Sequence, residues 1–137
     1  MDDVLINKIA IIQRSLKRIN QVYLDVGTHL TTDYTRQDSI ILNLQRVCEA
    51  SIDLANHITK QKRLGIPQSS RDSFNILLKA GLLSEDVTNN LKKMVGLRNI
   101  ALHNYQELNL DTVKFIIENH LVDFQYFIRS VKSISLI

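Results

Sequence analysis

The stretch Arg98-Asn99-Ile100-Ala101-Leu102-His103-Asn104-Tyr105 gathers residue types suited to phosphodiester chemistry. Arginine offers a permanently charged fork that matches phosphate oxygens. Histidine can pass protons near neutral pH. Tyrosine can donate a hydrogen bond, stack on a base, or accept a nucleotide on its phenolic oxygen. On a helix turning about 100° per residue, Arg98 and Tyr105 share nearly one face, whereas His103 is turned roughly 140° from Arg98. Asn99 and His103, one turn apart, share a stripe. A straight helix therefore does not bring Arg98 and His103 onto one substrate. Either the helix loosens near His103, ahead of a break at Gln106, or a second subunit completes the site. Residue types alone leave a plainer reading open: Arg and His capping carbonyls at a helix end, beside a core-edge Tyr105.

The elements that must position these residues read as helices. Leu5, Ile9, Ile12, Leu16, Ile19 and Tyr23 recur at steps of four and three, a single stripe on a first helix that Val26-Gly27-Thr28 ends. A second helix runs from about Tyr34 to Lys60, with Ile41, Leu44, Cys48, Ala55 and Ile58 on one face. Ile40, Val47 and Leu54 widen that stripe toward a second neighbour, the mark of a bundle helix. Gly65 and Pro67 make the main break. A short helix from about Asp72 to Ala80 carries Phe74 and Leu77. Ser84 then caps a fourth helix, which leads through Val87, Leu91 and Met94 into the motif. A last helix from about Asp111 shows Val113, Ile117, Leu121, Phe124, Ile128 and Val131; Phe124, Tyr126 and Phe127 read as packing residues. The expectation is an all-α antiparallel bundle of about five helices in one domain spanning residues 1–137. Several stripes are wider than so short a bundle can cover, which predicts a homodimer.

Composition agrees. The 137 residues are 45% apolar and 23% charged, with four glycines and a single proline, which suits helices better than a turn-rich β fold. The lone cysteine, Cys48, cannot form an internal disulfide, so a reducing compartment is expected. The acidic Met1-Asp2-Asp3 start is unlike an export signal. No apolar run approaches the roughly 20 residues of a membrane span. The reading is cytoplasmic, with no membrane contact. A net charge of +3 is compatible with RNA but too mild to require it.

Other candidates carry less. Asp53 and His57, one turn apart, either support a cleft or form an exposed hydrogen-bonded pair. No third ligand at metal-binding spacing accompanies them, so neither metal nor cofactor is expected. Cys48 lies in an apolar stripe and reads as core rather than nucleophile. His29 and His120 look incidental. There is no P-loop, dinucleotide fingerprint or Ser-His-Asp arrangement.

R-x4-H-x-Y near a helix end resembles the HepT-like family of the HEPN group. The resemblance continues in Cys48-Glu49-Ala50-Ser51-Ile52-Asp53-Leu54-Ala55 with His57, in Pro67 followed by Phe74 and Leu77, and in Met94-Val95-Gly96-Leu97-Arg98-Asn99. It covers nearly the whole chain. It implies a metal-independent ribonuclease toxin of a type VII-like toxin–antitoxin pair, dimeric, with two motifs lining a shared cleft. The implied partner is a small MntA-like nucleotidyltransferase. By motif, Arg98 and His103 match the catalytic pair and Asn99 and Asn104 their polar neighbours. Tyr105 matches the tyrosine that the partner silences by adding AMP. The alternative is a non-catalytic helical subunit that binds a nucleotide or the nucleotidyltransferase and only presents Tyr105; a third reading is an orphan dimer without its partner.

Overall fold

The computed structural model describes residues 2–103 and 108–134, and among these every regular element is helical. The helices are α1 (Asp3–Val26), α2 (Tyr34–Gln61), α3 (Ser70–Lys79), α4 (Glu85–His103), α5 (Leu110–Asn119) and α6 (Leu121–Ile134), with a one-turn 3-10 helix at Gly27–His29. None is long and apolar enough to cross a membrane.

Local chemistry sets the ends of the long hairpin. Asp2 caps α1, its Oδ1 accepting from the Leu5 N–H at 2.9 Å. Its Oδ2 accepts from Gln61 and bonds His57, at 2.8 and 3.0 Å, which ties the start of α1 to the end of α2. The backbone bond, helped by His57, holds the Asp2 carboxyl down at about 2. Gly27 ends α1 at φ 55°, a conformation disfavoured for other residues, while its N–H donates to the Tyr23 carbonyl. Asp33 then caps α2 by accepting from the Arg36 N–H at 3.1 Å.

The predicted stripe of α1 is buried as expected, from Leu5 to Ile19, with Tyr23 half-buried and Val22 and Val26 continuing the face. The wide stripe of α2 predicts two neighbours; α2 packs on three, α1, α3 and α4, and both its apolar rows are covered. Ser69 caps α3, and Ser84 caps α4 by accepting from the Val87 N–H at 3.3 Å. Phe74 of α3 and Phe127 of α6 meet edge to face at 5.6 Å, closing the core from the far side.

Three expectations are corrected. The last helix is two helices, α5 and α6, so there are six α-helices among the described residues rather than five. The apolar period runs on through the break, and polar side chains make it. Asn119 turns back to the Phe115 carbonyl at 3.0 Å, and His120 Nδ1 bonds Asp123 Oδ2 at 3.0 Å. Asp123 is buried and also accepts from Asn90 of α4 at 3.2 Å, which fixes where α6 starts. His120 is therefore structural, not incidental. Tyr126 is not packed like Phe124 and Phe127; it is exposed beneath the Arg129 guanidinium, 5.5 Å from the ring centre.

Because Phe127 is fully buried against Phe74, Phe127→Ala should lower unfolding stability by about 3–5 kcal/mol. Urea denaturation measures this; a loss within the noise would mean that α6 is not part of the same cooperative unit.

Candidate functional site

The site is built around the C-terminal half of α4. Leu97 and Ala101 turn inward and, with Leu108, cover Ile41, Leu44 and Cys48 of α2. This packing carries the Arg98 stem to the boundary between core and solvent, where the side chain is only 14% exposed. Its guanidinium is gripped from two directions. Nη1 donates to Glu49 Oε1 of α2 at 2.7 Å, and Nη2 donates to Ser70 Oγ in the first turn of α3 at 3.2 Å. Nε is buried and has no hydrogen-bond partner among the described residues. Three helices thus set the direction of one cation.

Cys48, beside Glu49 in sequence, is core as expected. Burial pushes its thiol up to about 12, and its Sγ contacts the Met94 carbonyl at 3.6 Å. It supplies no nucleophile at physiological pH.

His103 is the last described residue of α4 and is exposed. The helix stays regular up to it, so Arg98 and His103 diverge by roughly 140° around the axis. The stretch beyond His103, where a break was expected at Gln106, lies outside the described residues. Asn99, half-buried, lies on the His103 stripe. Asn104 and Tyr105 lie outside the described residues. Asp53 is not brought to Arg98: its Oδ2 accepts from Lys8 Nζ of α1 at 3.0 Å. Nor does it pair with His57, which is held by Asp2. The expected Asp53–His57 pair is replaced by two separate ties to α1.

Glu49 and Ser70 were not picked out by sequence reasoning. Glu49 and Arg98 are 49 positions apart, and local spacing cannot report such a pair. The one available signal was an acid directly following a core cysteine on a helix with a wide apolar face. Among the described residues, no three His, Cys, Asp or Glu side chains converge as a metal site would require.

A helical bundle that presents R-x4-H on its fourth helix agrees with the expected resemblance to the HEPN group. The chain belongs to the ribonuclease HepT-like family, whose model matches residues 12–131. It is similar to an mRNA nuclease HepT of Shewanella oneidensis, 59% identical over 97% of this chain and 99% of that one. It is also similar, at 26% identity, to a tRNA nuclease HepT of Aphanizomenon flos-aquae, across 66% of this chain and 61% of that protein. Its fold matches a solved structure of tri-AMPylated Shewanella oneidensis HEPN toxin in complex with MNT antitoxin. That match has a TM-score of 0.92 and 59% identity over 97% of this chain and 99% of that one.

The grip on Arg98 can be measured. Glu49→Ala removes an acceptor from a largely buried cation and should destabilise by about 1 kcal/mol, while Glu49→Gln, which keeps an Oε1 acceptor, should cost less. In a double-mutant cycle with Arg98→Ala the two losses should overlap; strict additivity would mean that the contact carries no energy.

Proposed function

We propose that the protein is a metal-independent endoribonuclease toxin whose reaction is carried by Arg98 and His103. One observation carries the reading: a chain 59% identical to an mRNA nuclease over nearly its whole length carries R-x4-H, with the arginine held by Glu49 and Ser70 and the histidine exposed. His103 assists attack of a ribose 2′-hydroxyl on the adjacent phosphorus, and Arg98 stabilises charge building on the phosphoryl oxygens. The ribose oxygen is then the nucleophile and the 5′-oxygen of the next nucleotide leaves, a step that needs no metal. The higher-identity relative is named for mRNA, which makes mRNA the favoured substrate.

The whole chain is read as one HepT-like domain acting in the cytoplasm as a homodimer. Two features support the dimer. Arg98 and His103 of one copy face different ways. Ile100 and Leu102, which flank them, are 44% and 52% exposed. A second copy would cover these side chains and let the two motifs share a cleft, with Asn99 and Asn104 as polar neighbours.

Control is proposed to come from an MntA-like nucleotidyltransferase acting on Tyr105. Its phenolic oxygen would take AMP from ATP, releasing pyrophosphate and a proton. The added phosphates place negative charge and bulk next to the motif, where they repel RNA. The relative solved with MNT antitoxin in a tri-AMPylated state supports this.

In EDTA, the unmodified protein should cut a mixed RNA pool, and Arg98→Ala and His103→Ala should each lose at least about a hundredfold in rate at unchanged helicity. Absence of cleavage by protein with an unmodified Tyr105 would favour a non-catalytic interaction subunit. Tyr105→Phe should still cleave and should escape silencing when the nucleotidyltransferase and ATP are added; silencing of this variant would remove Tyr105 as the target.

A further inference from the structure

The residue following Ser70 does something different from its neighbour. Ser70 reaches Arg98, whereas Arg71 lies across another face of α4, its Nε donating to the Lys92 carbonyl at 3.1 Å. The guanidinium rests on Gly96, where a Cβ would stand 2.8 Å from Arg71 Nη2. A glycine inside a helix is unfavourable relative to alanine, and here it leaves the room this cation occupies. The residue as a whole is exposed. Its Nη1 and Nη2 have no hydrogen-bond or ion-pair partner among the described residues. The arginine is therefore oriented by one backbone bond and keeps most of its five donors available.

Its location is informative. Lys92, Gly96, Asn99 and His103 follow one another at steps of four, three and four, so they form one stripe of α4. Arg71 sits on the stripe that ends in His103, two turns back, about 10 Å along the axis. Arg98, on another face, already has a carboxylate on its fork through Glu49. A polyanion lying along the His103 stripe would therefore meet Arg71, with Lys92 beside it.

We propose that Arg71, seated on α4 at Gly96, binds an RNA phosphate one or two nucleotides from the bond that is cut. This rests on the ribonuclease reading and adds a substrate subsite to it. Arg71 holds the strand and takes no part in proton transfer, so its loss weakens binding and raises KM while kcat at saturating RNA stays close to that of the parent.

The test measures binding of a fluorescent single-stranded RNA to His103→Ala protein across a salt series, and cleavage kinetics in the His103-containing protein. Adding Arg71→Gln should weaken binding roughly tenfold and flatten the slope of log affinity against log salt by about 0.7, the value for one lost contact to a single strand. Arg71→Lys keeps the charge and should preserve the slope. Gly96→Ala is the decisive variant. It puts a methyl group 2.8 Å from Nη2, close enough to push the guanidinium off its seat, so it should weaken RNA binding, yet alanine favours the helix and Tm should hold or rise. Weaker binding in that variant cannot be loss of fold. Unchanged affinity and slope in Arg71→Gln beside His103-dependent cleavage would overturn the subsite and leave the nuclease reading intact. Arg71-dependent RNA binding without any cleavage would sink the nuclease reading and, with it, a subsite defined by the bond that is cut. Failure of the parent to bind RNA, or loss of nucleotidyltransferase binding alone in the Arg71 variants, would overturn the subsite.

Discussion

The contact between the Arg98 guanidinium and the Glu49 carboxylate is the constraint on which the site depends. Arginine at a core boundary is costly to desolvate unless its donors are met, and here two of its nitrogens are met from two helices. Meeting them requires α2 and α3 to approach α4 at one level, which the core arranges: Leu97 and Ala101 pack over α2, while Phe74 anchors α3 beneath. The cation cannot rotate freely without leaving a half-buried charge unpaired. The same contact partly neutralises Arg98, so an approaching phosphate must share the fork with a carboxylate or rely on other cations.

That charge balance separates two roles that the sequence motif presents as one. Arg98 is fixed, shielded and directed between helices, whereas His103 is exposed at the end of α4 on a different face. A regular helix keeps them apart, and rotation about its axis cannot bring both to one phosphorus atom. The homodimer reading answers this by letting each motif be half of a cleft. It also accounts for Ile100 and Leu102, large apolar side chains left exposed beside the motif.

Much of the fold was legible in the sequence because local signals recorded it. The expected bounds of α2, Tyr34 to Lys60, lie within one residue of the observed ones, because its apolar period is unbroken between them. Its doubled apolar row predicted a second neighbour, and α2 has three, α1, α3 and α4. The break at His120 was missed because the apolar period continues through it; the turn comes from Asn119, His120 and Asp123 bonding locally and to Asn90. The motif showed which residues to watch, but not what holds them. Glu49, Ser70 and the seat of Arg71 on Gly96 arise from packing between helices, which no short window of sequence contains.

In the proposed reaction a ribose hydroxyl activated by His103 attacks phosphorus, and the chemistry of the new RNA ends tests that most directly. RNA cut in EDTA by the purified, unmodified protein, analysed by mass spectrometry, should carry 2′,3′-cyclic phosphates opposite 5′-hydroxyls. Ends bearing 3′-hydroxyls opposite 5′-phosphates would mean that water, not the ribose, attacks phosphorus, and would contradict the roles given to Arg98 and His103.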